Sequence, residues 1–192
     1  MHSVRATLPA AIRRCCLIAA IIAAALVATR ETSAAQSAHA RAAHSNGWTV
    51  YHNERFGFRL EYPAGLFKPG RPPENNDGLE FQTQDGRATI RASGSFNVLK
   101  HSPQQLRDGA LEDRTGAVVT MDRRLPNGLI LSGYEQDTIF YVRIILSNHS
   151  EVINTLEIRY PRDLKQRFDA VVARTSRSFR PGRSKWYAHC CE

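Results

Sequence analysis

The sequence predicts an α+β domain, an antiparallel β-sheet meander flanked by helices in an α/β/α sandwich. Three observations carry this reading. Several segments alternate apolar and polar residues and end at turn dipeptides, which marks strands. Two segments carry apolar residues at helical spacing, one between strands and one after the last strand. Short turns join the strand segments, the order of an antiparallel meander rather than of parallel βαβ units.

The N-terminus is set aside first. Residues 1–14 carry Arg5, Arg13 and Arg14 and no acid, and a small apolar run follows from Cys15 to Ala28. Ser33-Ala34-Ala35 before Gln36, and Ala38-His39-Ala40 before Arg41, are candidate cleavage sites. Positive, then apolar, then small is the order of a secretory signal peptide, read here over residues 1–35. A retained anchor is the alternative, but the run is shorter than the ~18–20 residues of a spanning helix. Ile12 and Cys15 fit a twin-arginine signal poorly, and Arg14 before Cys15 does not suit lipidation. The expected location is therefore exported, periplasmic or extracellular.

The remaining length suits one domain with a core of its own. Hydrophobic residues at 42% and charged residues at 23% exclude a disordered or collagenous chain. Four cysteines are too few for a disulfide scaffold. After cleavage only Cys190 and Cys191 remain, at the extreme C-terminus, where they cannot cross-link a core.

Residues 36–47 are small and polar and read as a flexible spacer, with order beginning near Trp48. Trp48, Val50, Phe56, Phe58, Leu60 and Tyr62 alternate with polar residues as a half-buried strand does, and Pro63 closes the run. Lys68 to Gly78, rich in Pro, Gly and Asn, reads as a loop. Leu79–Gln84 and Arg87–Phe96 flank Asp85-Gly86 as a hairpin with a type I′ turn. That register sets Leu79 opposite Ala92 and Phe81 opposite Ile90, with Glu80 opposite Arg91 on the polar side.

Ser102-Pro103 opens a helix with Leu106, Ala110 and Leu111 on one face, expected to end near Gly116. Strands follow at Val118–Leu125, Leu129–Glu135, Thr138–Ser147 and Glu151–Tyr160. A last helix spans about Arg162 to Phe179, with Leu164, Phe168, Val171, Val172 and Thr175 on one stripe. The face of Leu129, Leu131, Phe140, Val142, Ile144 and Leu146 should lie beneath that last helix. The opposite face is too apolar to be fully wet.

Some of these strings point to a family. Tyr51-His52-Asn53-Glu54-Arg55-Phe56-Gly57-Phe58-Arg59-Leu60-Glu61-Tyr62-Pro63 resembles the opening of small bacterial secreted domains related to PsbP, the extrinsic photosystem II protein. That fold is shared with the Ran guanine-nucleotide release factor. Asn76-Asp77-Gly78, Asp85-Gly86, Leu131-Ser132-Gly133, and Tyr160-Pro161 before a helix closing in Ser178-Phe179 extend the resemblance over most of residues 48–180. It implies an antiparallel sheet flanked by helices and a non-enzymatic accessory role in binding a protein. These motifs are structural, so the resemblance carries over no ligand residue.

Motifs for chemistry are sparse. There is no phosphate loop, no dinucleotide fingerprint, no H-E-x-x-H and no Cys/His metal spacing, so no cofactor or metal is expected. Glu74, Asn75, Asn76, Asp77 and Glu80 offer oxygens to Ca²⁺, although turn chemistry explains the same residues. Glu61, Glu80 and Glu157 are the carboxylates that a small hydrolase would have to bring together. His52, His101 and His149 fall at element ends, where solvated side chains are the simpler reading.

Arg174, Arg177, Arg180, Arg183 and Lys185 have no acid near them before Glu192, and Trp186 and Tyr187 follow. A basic and aromatic tail over residues 181–192 suits weak contact with an anionic membrane surface. Nucleic acid would be an odd partner for an exported chain. The partner class expected first is a protein or envelope component, and the oligomeric state is left open.

The candidate binding residues come from strand register. A three-residue loop Asn148-His149-Ser150 would set Phe140 opposite Ile158 and Val142 opposite Leu156. The other face would then hold Ser132, Tyr134, Tyr141, Arg143, Glu157 and Arg159, with Ser132, Tyr141 and Glu157 in one row and Arg143 diagonal to Glu157. Aromatic and arginine side chains on one face suit recognition. The competing reading is a half-solvated sheet face with an ion pair worth under ~1 kcal/mol.

Overall fold

The structure, a computed structural model, describes residues 47–114 and 116–182. The expected signal peptide, the spacer up to residue 46, and the tail from residue 183 with Cys190 and Cys191 lie outside the described residues.

Strands β1 (Trp48–His52) and β2 (Arg59–Pro63) form a two-stranded antiparallel ribbon. A seven-stranded sheet contains β3 (Phe67–Pro69), β4 (Gly78–Thr83), β5 (Thr89–Phe96), β6 (Val118–Leu125), β7 (Gly128–Glu135), β8 (Thr138–Ser147) and β9 (Val152–Pro161). Helix α1 is Pro103–Glu112; helix α2 is Lys165–Ser178, entered through a 3-10 turn at Arg162–Leu164. The class is α+β, as expected.

The β4–β5 hairpin has the expected register, Leu79 with Ala92 and Phe81 with Ile90. Its turn differs. Asp85 keeps a negative φ and Gly86 alone is left-handed at 68°, its N–H donating to the Thr83 carbonyl at 2.9 Å. That is a type I turn closed by a glycine, not a type I′ turn. The Thr83 hydroxyl donates to the Asp85 carboxylate at 2.6 Å and, with the Arg87 N–H, holds that carboxyl below its ordinary range. The expected loop from Lys68 is shorter than its composition suggests, because Phe67–Pro69 adds β3 to the edge and Gly78 begins β4.

Helix α1 starts as expected at Ser102. The Ser102 hydroxyl accepts from the Gln105 N–H at 3.3 Å and the Gln105 side chain accepts from the Ser102 N–H at 2.9 Å, a reciprocal cap. The helix ends at Glu112, ahead of the expected Gly116.

The strand order is β3-β4-β5-β9-β8-β7-β6, so the sheet is not one simple meander. Helix α1 carries the chain from β5 to the far edge, and β6 to β9 return until β9 pairs with β5. Turn signals report only sequential neighbours, and this closing pair is not sequential.

The β8–β9 register also differs from expectation. The connection is four residues, Asn148 to Glu151, so Ser147 pairs with Val152 and Tyr141 with Ile158. Phe140 therefore meets Arg159, and Val142 meets Glu157. This shift places Val152, Leu156, Ile158 and Tyr160 on the same side as Ile90 and Ala92 of β5. A one-residue slip would have turned that whole set away from the core.

The helices cover the opposite faces from those expected. Leu106, Ala110 and Leu111 of α1 pack on Leu129, Leu131, Phe140, Val142 and Ile144. Phe168 and Val171 of α2 pack with Phe81, Ile90, Leu156, Ile158 and Tyr160 in the larger core. β8 is apolar on both faces, so α2 settles on the side with more aromatic and aliphatic surface to bury.

The ribbon completes the α2 side. In β2, Leu60 and Tyr62 point inward as the alternation requires. In β1 the expected phase inverts, with Thr49 buried and Val50 36% exposed. Phe58 packs edge-on against Phe179, with ring centroids 5.8 Å apart, and the Glu61 N–H donates to Ser178 Oγ at 2.8 Å.

Candidate functional site

The register divides the six expected binding residues between two faces. Ser132, Tyr134, Tyr141 and Arg143 share the α2 side, since Ser132 pairs with Tyr141, Tyr134 with Ile139 and Arg143 with Ile130. Glu157 and Arg159 face the α1 side, opposite Val142 and Phe140. The row of Ser132, Tyr141 and Glu157, and the diagonal between Arg143 and Glu157, do not form. The one-residue difference in the β8–β9 register is the reason.

On the α2 side these residues tie the sheet to the helix. The Tyr141 hydroxyl and Ser176 Oγ share a hydrogen bond of 2.6 Å, and the Arg143 guanidinium donates to the Ser176 carbonyl. Desolvation holds the Arg143 guanidinium below its ordinary pKa, and the Arg180 charge adds to that fall. Ser132 Oγ donates to the Phe140 carbonyl at 2.9 Å. The Arg162 guanidinium lies 4.0 Å over the Tyr134 ring.

On the α1 side Glu157 and Arg159 join two residues that the sequence reading missed, Arg114 and Glu135. Arg114 donates to Glu157 at 2.6 Å, Arg159 donates to Glu135 at 2.7 Å, and Arg159 also lies 3.6 Å from Glu157. Arg114 is 10% exposed at its side chain, lies over the Phe140 ring, and donates back to the Ala110 carbonyl at 2.5 Å. Two cations and two anions alternate, so this cluster locks the end of α1 to the sheet. Nothing in one dimension signals it, because its members lie on three different segments.

The three candidate hydrolase carboxylates stay apart. Glu61, on the ribbon, accepts from Arg174 at 2.8 Å. Glu80 and Glu157 lie two strands apart with Arg91 between them. A cleft of about 870 Å³ along β3 and β4 is lined by Lys68, Arg71, Glu80 and Gln82, with Glu80 its one carboxylate among the described residues. The Asn75 to Asp77 segment is a side-chain turn, in which the Asn75 amide donates to Asp77 at 2.8 Å. The Asn53 amide donates to the Asn76 carbonyl at 3.0 Å and holds this loop to the ribbon. Among the described residues no group of three or more His, Cys, Asp or Glu could hold a metal ion.

A second feature lies at one end of the sheet, where the β5–α1 turn meets the β8–β9 loop. Asn97 is buried and organises both. Its N–H donates to the Glu151 carbonyl at 2.8 Å, and its amide donates to Ser150 at 2.9 Å and His101 at 3.0 Å. Its Oδ1 accepts from the His101 N–H at 2.8 Å, and the Lys100 N–H returns to the Asn97 carbonyl at 3.0 Å. The turn so pinned presents Val98 at 79% and Leu99 at 75% exposure, beside the half-exposed Phe96.

The neighbouring loop is strained. Asn148, His149 and Ser150 have φ of 50°, 54° and 70°, three successive left-handed residues without a glycine. Asn and His adopt this region more readily than most residues, but a run of three with Ser150 among them is uncommon, and strain of this kind concentrates at functional positions. The sequence reading passed over Val98 and Leu99; the signal is an apolar pair between a strand and a helix cap, and only the Asn97 anchor shows that they point outward.

No family model matches the chain, and no curated protein does. Among solved structures, the chain is similar to the solution structure of cyanobacterial PsbP (CyanoP) from Synechocystis sp. PCC 6803. That match has a TM-score of 0.53 at 10% identity and covers 72% of this chain and 95% of the other. The chain therefore has a PsbP-like fold. A crystal structure from Bacteroides thetaiotaomicron VPI-5482 matches with a TM-score of 0.37 and 14% identity, over 67% of this chain and 46% of the other.

Proposed function

We propose that the chain is an exported, non-enzymatic accessory domain that binds a protein or envelope component through the apolar turn at Val98 and Leu99. The observation that carries this reading is the outward display of two adjacent aliphatic side chains on a turn fixed by the buried Asn97. A rigid turn loses little conformational freedom on binding, so more of the burial energy appears as affinity. Export is inferred from the charged, apolar and small order of residues 1–40. The accessory role follows the resemblance to PsbP-related domains.

A photo-crosslinking side chain at position 99, compared with one at the exposed position 123 on β6, tests the surface. Adducts to one envelope component from position 99 and not from 123, lost on Val98→Ser, are the expected result. Equal or absent adducts from the two positions count against the apolar turn. N-terminal sequencing of the exported protein tests processing, with a start between Gln36 and Arg41 expected.

A further inference from the structure

The end of α2 and the ribbon bring together arginines that no carboxylate among the described residues neutralises. After Ser178 the chain extends and pairs with β2. The Arg59 N–H donates to the Arg180 carbonyl and the Arg180 N–H donates to the Arg59 carbonyl, each at 3.0 Å. A hydrogen-bonded antiparallel pair holds its Cα atoms about 5.5 Å apart with both side chains on one side. Phe179 and Leu60 point into the core, so Arg59 and Arg180 both point out. Like charges directly opposite one another destabilise a strand pair.

Arg177, on the last turn of α2, lines the same cleft of about 160 Å³ with Arg59 and Arg180. Among the described residues the carboxylate in the cleft is Glu61, and Arg174 occupies it at 2.8 Å. Ser178 Oγ is occupied too, accepting from the Glu61 N–H and donating to the Thr175 carbonyl. Arg180 donates to its neighbouring Phe179 carbonyl at 3.3 Å, and no carboxylate among the described residues pairs with Arg59, Arg177 or Arg180.

We propose that Arg59, Arg177 and Arg180 form a binding cleft for a phosphate group. The guanidinium fork matches phosphate oxygens in pairs, and three forks around one cleft suit a doubly charged oxyanion. The volume equals about five waters at ~30 Å³ each and falls below the ~300 Å³ of pockets for larger ligands. The cleft therefore takes a phosphate group and leaves whatever is attached to it outside. The ligand is either free phosphate or the phosphate of an anionic lipid headgroup. This inference does not depend on the apolar turn.

The test compares the full chain with Arg59→Gln/Arg180→Gln and with a control, Arg91→Gln/Arg123→Gln, which removes two exposed arginines elsewhere. Titration calorimetry with inorganic phosphate is one arm. Flotation with phosphatidylglycerol vesicles is the other, and the shared N-terminus cancels between variants. The cleft variant should bind phosphate, or the vesicles, about tenfold more weakly or worse, while the control matches the wild type. Saturable binding of inorganic phosphate assigns free phosphate; arginine-dependent binding of vesicles alone assigns the lipid headgroup. The cleft variant should also melt at the same or a higher temperature in low salt, because a like-charge contact is gone. Arg59→Lys/Arg180→Lys should recover part of the binding. No binding in either arm, or equal losses in the cleft variant and the control, overturns the proposal.

Discussion

The Asn97 side-chain amide donates to the Ser150 carbonyl at 2.9 Å across 53 residues of sequence. One buried amide thereby joins the turn after β5 to the strained loop before β9. Asn97→Ala leaves the Ser150 carbonyl and both His101 main-chain groups without this partner. The expected loss is about 2–3 kcal/mol of unfolding free energy, from desolvated groups left unpaired. Urea unfolding measures it, and a loss under about 1 kcal/mol would mean that the loop carries its own strain.

Phe56 lies directly over Gly94. A Cβ at position 94 would sit 2.4 Å from the Phe56 ring, well inside contact distance. Gly94→Ala should therefore destabilise the protein by about 1–3 kcal/mol through overpacking. Truncating the ring in Phe56→Leu should recover part of that loss in the double variant, the coupling expected of residues in contact.

The alternating cluster of Arg114, Glu157, Arg159 and Glu135 is partly buried, so removing one member matters more than at an exposed pair. Arg114→Met leaves Arg159 alone between two carboxylates. A loss of about 1–3 kcal/mol is expected. Adding Glu157→Gln should return part of it, and strictly additive losses would show that Arg114 acts only through its packing on Phe140.

Tyr160 stacks on Phe168 with ring centroids 5.0 Å apart and planes 11° from parallel. Burial, reinforced by the Asp169 charge, pushes its phenol from 10.0 up to about 12. The folded state thus resists ionisation of Tyr160. Its contribution to stability is complete below about pH 10 and is lost as pH rises from there to about 12. Burial raises Tyr51 and Tyr62 as well, so only the difference between wild type and Tyr160→Phe isolates this residue. Urea midpoints should fall more steeply for the wild type over that interval, and parallel curves would count against it.

The folded region extends past Phe179. Deleting residues 180–192 removes the two hydrogen bonds between Arg59 and Arg180 and should cost about 1–3 kcal/mol. Deleting residues 183–192 keeps both bonds and should leave the melting temperature unchanged. Equal melting temperatures for the two deletions would place the end of the fold at Phe179.

Local chemistry was enough to read most elements from the sequence. The alternation around Asp85-Gly86 determined the β4–β5 register, because only one pairing separates apolar from polar faces. Ser102-Pro103 determined where α1 begins, because the cap acts within one turn. Tertiary structure decided what local rules leave tied. β8 is apolar on both faces, so alternation could not say which helix lies on which side or how β9 pairs with it. Asn148, His149 and Ser150 are left-handed in succession, a run that local preference disfavours. What outweighs that cost is the burial of Val152, Leu156, Ile158 and Tyr160 beside β5 and beneath α2, a gain that exists only once the distant strands meet.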